Sequence, residues 1–224
     1  MNVWVIGATS GIGAEVADML ESEFDCEVVG TGEGVDVTHQ QKLKLFFREN
    51  GPFDGLVYCA GINHLDWVES LDLDWVDKLL HVNTVGLLNV LQACNISSGL
   101  LKRVVVVGSD AAWRPMRTST AYNSSKAALH AMVQCIARER AGEEFAINVV
   151  APGLVAGTPM TEYVFERTKK IRGWTEDSLL EYSLGQIPLG RPAEPREIAE
   201  VICCVLLLET PYLNGAIIPV NGGR

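Results

Sequence analysis

Positive charge is scarce in this chain and is not gathered anywhere: 18 Lys and Arg against 28 Asp and Glu in 224 residues leave a formal net charge of −10. A nucleic-acid or anionic-membrane partner is therefore not expected. Long apolar runs are also missing. No stretch approaches the roughly 18 residues that a bilayer span requires. The N-terminus enters a strand directly, without a basic region and a long apolar stretch behind it, so neither a span nor a leader is expected. The six cysteines, Cys26, Cys59, Cys94, Cys135, Cys203 and Cys204, lack zinc-ligand spacing, and no metal site is expected. Several lie in apolar segments, as buried thiols do, which suits a reducing cytoplasm. Repeats, linkers and low-complexity segments are absent. A length of 224 residues with 48% hydrophobic residues is enough for one well-buried core and short for two, so one domain over 1–224 is expected.

What is present is an alternation of strand-like and helix-like segments. Val3-Trp4-Val5-Ile6 is a short apolar strand, followed by Gly7-Ala8-Thr9-Ser10-Gly11-Ile12-Gly13 and a helical pattern through Val16, Met19 and Leu20. Glycines at such a turn allow positive φ and close backbone approach, so amides at the helix start can face a pyrophosphate. A plain tight turn gives the same pattern. Further strands are read at Cys26-Glu27-Val28-Val29, Asp54–Cys59, Val104–Val107, Ala146–Val150 and Ala216–Val220, with helices over Gln40–Arg48, Leu71–Cys94, Ala121–Arg140 and Glu194–Leu208. Strands alternating with helices in this way give an α/β fold: a doubly wound parallel sheet with the site at the carboxyl ends of its strands.

The densest chemistry runs from Ser109 to Lys126. Val104–Val107 reads as a buried strand ending in Gly108 and presenting Ser109, and Tyr122 and Lys126 share one helix face a turn apart. A free phenol with a pKa of about 10 is a poor base near neutrality. A neighbouring ammonium, joined by an oxidised nicotinamide, would lower it toward the working range, and Ser109 would hold the substrate oxygen. Alone, a Tyr-x-x-x-Lys pair is an ordinary solvated helix face.

Taken together, Gly7-x-x-x-Gly11-x-Gly13, His81-Val82-Asn83-Thr84-Val85-Gly86 and the Ser109, Tyr122 and Lys126 set resemble the short-chain dehydrogenase/reductase family over essentially the whole chain. The resemblance implies a single Rossmann-type domain with about seven strands ordered 3-2-1-4-5-6-7, the third of them short. It implies an NAD(P)-dependent oxidoreductase acting on an alcohol or carbonyl, and a homotetramer or homodimer. By the match Ser109, Tyr122, Lys126 and Asn83 are catalytic, with Asn83 holding a water that connects Lys126 to solvent. Asn83 as a plain polar residue at a helix kink is the other reading.

The resemblance assigns cofactor binding to Gly7, Thr9, Ser10, Gly11, Ile12, Gly13, Thr31, Asp36, Val37, Cys59, Ala60, Gly61, Tyr122, Lys126, Pro152, Gly153, Val155 and Thr158. Four departures stand out. Ile6 replaces a usual threonine. Tyr58 and Cys59 replace two asparagines, altering strand bracing more than binding. A helix is missing between the second strand and Asp36-Val37-Thr38, where Asp36 also fits a helix cap. Thr158 sits one residue late, behind Gly157.

Ser10, Thr31 and Gly32 offer the ribose neither acid nor base, and Glu33 is an acidic partner or a surface turn, so the balance leans to NAD over NADP. Residues 158–190, with Tyr163, Phe165, Trp174 and Tyr182, suit amphipathic helices forming a substrate lid. Trp113, Arg114, Met116 and Arg117 could supply an aromatic wall and a carboxylate anchor, or be merely solvated. Two other readings share these motifs: a catalytically silent dinucleotide sensor of the same fold, and a nucleotide-sugar epimerase, for whose substrate domain the chain has no room.

Overall fold

β-branched residues fill the strands, and the parity of their side chains divides the interior into two layers. The computed structural model describes residues 1–31 and 35–224. Among them, β1 (Asn2–Ile6), β2 (Glu27–Gly30), β3 (Gly55–Tyr58), β4 (Arg103–Val107), β5 (Ala146–Pro152) and β6 (Ile217–Val220) form one parallel sheet ordered β2-β1-β3-β4-β5-β6. Eight α-helices accompany them: α1 (Gly11–Ser22), α2 (Gln40–Glu49), α3 (Leu73–Leu80), α4 (Gly86–Ala93), α5 (Thr120–Glu139), α6 (Pro159–Arg172), α7 (Glu176–Leu184) and α8 (Pro195–Leu206).

One layer takes Trp4, Ile6, Leu56, Tyr58, Val104, Val106, Ile147 and Val149 against α2, α4 and α5. The other takes Val3, Val5, Val57, Val105, Val107 and Val150 against α1 and α8. Burial on both faces accounts for the continuous apolar runs. No helix is long and apolar enough to cross a membrane among the described residues.

The sheet departs from expectation at one edge. The short third strand is not among the described elements, and six strands stand where about seven were expected. The cause is the short connection: after β2 the chain passes through a turn at Val37 and Thr38 and enters α2 at Gln40. Gly32, Glu33 and Gly34 lie outside the described residues, and with them the readings placed on Gly32 and Glu33.

The long helix expected over Leu71–Cys94 is broken into α3, a π turn at His81–Val85, and α4. At the turn the Gly86 amide donates to His81 O, five residues back, so the Val82 carbonyl loses its regular helical partner. The hydroxyl of Tyr58, from the end of β3, donates to it at 2.7 Å. A Cβ on Gly86 would lie 2.4 Å from that hydroxyl oxygen, so the glycine makes room for the tyrosine. Tyr58 is thus the altered strand brace expected from its replacement of asparagine.

Candidate active site

β1, β3, β4 and β5 all end at one crevice, because the strand order reverses around β1. The glycine loop closes its floor. Gly7 has φ +89, and a Cβ there would stand 2.8 Å from the Ala60 amide nitrogen; one on Gly13 would stand 2.1 Å from Gly7 O. Only glycine permits this approach of α1 to the ends of β1 and β3. Ser10 stands at the N-cap of α1 without a side-chain cap bond, and the first turn carries no acidic residue. The opening amides and the positive end of the helix are therefore left to an outside anion, and the cradle fits a dinucleotide pyrophosphate.

Ser109, Tyr122 and Lys126 meet on the opposite wall, and each is almost wholly buried. The Ser109 hydroxyl accepts from the Ala111 amide at 3.2 Å. Lys126 Nζ donates to Val107 O at 2.9 Å and lies 5.9 Å from the Tyr122 ring centre. Burial dominates the electrostatics. It pushes the Tyr122 phenol up to about 12, against the downward pull of a Ser109 hydrogen bond, and drives the Lys126 ammonium down to about 8. The expected lowering of the phenol by Lys126 is thus not met by the protein alone, since the cost of burial outweighs the Ser109 hydrogen bond that pulls the phenol down.

Asn83, fully buried in the π turn, spans two elements. Its Oδ1 accepts from the Ile62 amide at 2.8 Å, while Nδ2 donates to Ile62 O and Ser125 Oγ, both at 2.9 Å. It ties the segment after β3 to the Tyr122 helix, and it does not line the cleft.

The cleft, about 650 Å³, brings together most of the expected binding residues: Gly7, Thr9, Ser10, Gly11, Ile12, Gly13, Cys59, Ala60, Gly61, Pro152, Gly153, Val155 and Thr158. Thr31, Asp36 and Val37 do not line it. Thr31 is buried, and its hydroxyl accepts from the Gly7 amide at 2.7 Å, bracing the glycine loop from behind. Asp36 Oδ1 accepts from the amide and hydroxyl of Thr38, both at 2.8 Å, so its carboxylate is spent on the turn into α2. Val37 packs against the place where Gly86 lacks a side chain. Thr158 caps α6, accepting from the Thr161 amide at 3.1 Å.

Four further residues of the site carry no signal in the sequence. His130, two turns beyond Tyr122, accepts the Ser109 amide on Nε2 at 3.3 Å. A Cβ on Gly108 would lie 2.1 Å from that nitrogen. Burial, aided by the charge of Lys126, lowers His130 to about 4, so it stays the neutral acceptor that Ser109 needs. Asp110 and Arg224 face each other at 3.6 Å in the cleft wall. Arg172 enters from α6. A glycine before the serine and a histidine four residues after the lysine were visible, but no spacing rule joins them. Of the residues between serine and tyrosine, Met116 lines the cleft and Arg117 lies over Trp67 at 5.0 Å.

The roof consists of α6 and α7. His64 Nδ1 lies 2.8 Å from the Tyr163 hydroxyl, Arg167 pairs with Asp66 at 2.6 Å, and Trp67 Nε1 donates to Ile171 O at 3.2 Å.

Residues 9–224 match the family model described as Enoyl-(Acyl carrier protein) reductase. The Vibriobactin-specific 2,3-dihydro-2,3-dihydroxybenzoate dehydrogenase of Vibrio cholerae is 32% identical over 82% of this chain and 70% of its own. The 3-oxoacyl-[acyl-carrier-protein] reductase FabG of Thermotoga maritima is 30% identical over 98% of this chain and 95% of its own. In structure, a short chain dehydrogenase family protein from Francisella tularensis superimposes with a TM-score of 0.87 at 26% identity, covering 99% of this chain and 97% of that one. With its glycine cradle and its buried serine, tyrosine and lysine on one cleft, the chain belongs to the short-chain dehydrogenase/reductase family of oxidoreductases.

Proposed function

We propose that the chain is an NAD-dependent oxidoreductase of a secondary alcohol or ketone, with Tyr122 as general acid and base. The observation that carries it is the convergence of Ser109, Tyr122 and Lys126 on the cleft whose floor is the pyrophosphate cradle. When bound, the dinucleotide supplies the hydride donor or acceptor. The chain's residues handle the oxygen and its proton. Ser109 donates to the substrate oxygen and fixes it beside Tyr122. The Tyr122 hydroxyl gives its proton to a developing alkoxide, or as phenolate removes one from an alcohol.

In the free protein, burial keeps this phenol protonated. A positive charge brought into the cleft offsets that burial and moves the phenol back toward the working range. Lys126 would exchange its Val107 carbonyl for ribose hydroxyls. Asn83 holds the Tyr122 helix in register and has one lone pair of Oδ1 left for a water next to Lys126.

NAD is preferred to NADP because residues 30–38 contain no Lys or Arg to meet a 2′-phosphate. Residues 158–190 serve as the lid that excludes water. All six cysteines are free thiols, which supports a reducing cytoplasmic setting. The test is Tyr122→Phe. Turnover on any secondary alcohol or ketone that the wild type accepts should fall by about 10²–10⁴-fold, with dinucleotide affinity within three-fold of wild type. Full turnover in that variant would remove Tyr122 from the chemistry.

A further inference from the structure

The cleft wall carries a cation that the reaction above does not use. Arg172, in the last turn of α6, lines the cleft and is half-buried. Its Nη2 donates to the Arg117 carbonyl and, at 3.1 Å, to the Thr118 hydroxyl. The guanidinium lies over the rings of Trp174 at 4.9 Å and Tyr182 at 5.9 Å. The head group is therefore held in place from one edge and one face. Its Nε is buried and has no hydrogen-bond partner. Among the described residues Arg172 forms no ion pair, in a chain of net charge −10.

The other cleft cations are differently placed. Lys126 is bound to Val107 O; Arg224, whose Nε is likewise buried without an acceptor, already faces a carboxylate in Asp110; and Lys78 is exposed over Trp75. A buried guanidinium N–H without an acceptor costs free energy unless a ligand supplies one. Thr118 is only four residues ahead of Tyr122, at most about 14 Å of extended chain. A group held by Arg172 and an oxygen beside Tyr122 thus fit on one small molecule.

We propose that Arg172 anchors a carboxylate on the substrate, so that the enzyme acts on hydroxy acids or keto acids in preference to their neutral analogues. The proposal rests on the oxidoreductase reading and adds the substrate class to it. Charge-assisted bonds from a pre-oriented guanidinium suit a planar carboxylate, and the aromatic rings around it suit an apolar body.

The experiment measures binding of three acid and amide pairs to the dinucleotide-loaded protein by tryptophan fluorescence: acetate and acetamide, benzoate and benzamide, cyclohexanecarboxylate and its amide. At least one acid should bind ten-fold or more tighter than its amide. Arg172→Gln should bring that ratio below two-fold with dinucleotide affinity within three-fold of wild type, and Arg172→Lys should retain part of it. If Arg172→Gln loses the dinucleotide, Arg172→Lys decides by the same ratio, a ratio equal to wild type counting against the proposal. No acid preference in the wild type, or one that survives intact in the variants, overturns the proposal and leaves the oxidoreductase reading standing. A wild-type chain that holds neither dinucleotide overturns both.

Discussion

The two ends of the cleft are built by different rules. At the end of β4, Ser109, Lys126 and His130 are nearly sealed from water, and each is held by a partner from another element or from the facing strand end. Around β2, on the far side of the glycine loop, the polar groups look inward to the turn itself: Asp36 serves Thr38 and lies 3.2 Å from His39, and all three are solvent-accessible apart from this local bonding. The first arrangement fixes proton positions, which requires burial and over-determined contacts. The second only has to carry the chain from β2 to α2, and it tolerates a shortened connection. The difference teaches where substitutions should matter: energy is concentrated where the chemistry needs a fixed proton, and spread thinly elsewhere.

The sharpest way to break that contrast is Gly108→Ala. Its methyl carbon would lie 2.1 Å from His130 Nε2 and 2.5 Å from Val149 Cγ1, too close for either to yield without moving β5 or α5. A loss of turnover of about 10³-fold or more is expected, with a lowered melting temperature, since overpacking costs a few kcal/mol. Pairing the change with His130→Ala should recover part of the melting temperature. Wild-type kinetics in the single variant would mean that this wall is softer than its contacts imply.

The next effect is smaller and depends on pH. His130 has its folded pKa lowered to about 4 from 6.5, so the folded state resists taking a proton. The stability tied to its neutral form is complete above pH 6.5 and is lost as pH falls through 4. The linkage amounts to roughly 3 kcal/mol at most. His130→Leu should flatten that stretch of the stability profile, measured by urea unfolding from pH 7 to 4. It should also cut kcat by about ten-fold, because the Ser109 amide then lacks its acceptor. An unchanged acid limb in His130→Leu would show that His130 contributes nothing to the pH dependence of stability in this range.

How much of this was legible follows from the distance along the chain between partners. The glycine loop and the Ser109, Tyr122 and Lys126 set are short spacings within single strand-loop-helix units, so a sequence pattern holds them entire. The two-layer core was legible for the same reason, as each strand carries its own parity. His130 against Gly108, Tyr58 against Val82, and Arg172 against Thr118 join separate elements, and nothing in either segment names the other. The π turn left a faint trace: a tyrosine in place of asparagine at the end of β3, and Gly86 in mid-helix, are two halves of one contact. At the sheet edge the described residues form six strands where about seven were expected, because the connection between β2 and α2 is short.

At the adenosine end the contrast predicts little change, and this is where it can be refined. Thr31→Val removes the side-chain acceptor of the Gly7 amide while keeping the volume, so the glycine loop should loosen without collapsing. A single lost hydrogen bond of this kind is worth about 1 kcal/mol, or roughly five-fold in dinucleotide Kd. The kcat should stay at the wild-type value, since no group near Tyr122 moves.

Asp36→Ala goes further from the cleft. Its carboxylate is held below the usual range first by the Thr38 amide, and its stabilising bonds close the turn into α2. The cost should therefore appear in stability, at about 1 kcal/mol, and dinucleotide affinity should change less than two-fold by titration. A loss of affinity larger than that of Thr31→Val would reverse the ranking. It would mean that Asp36 leaves its turn to meet the adenosine, and that the far end of the cleft, open as it is, rearranges around its ligand as the serine end does not.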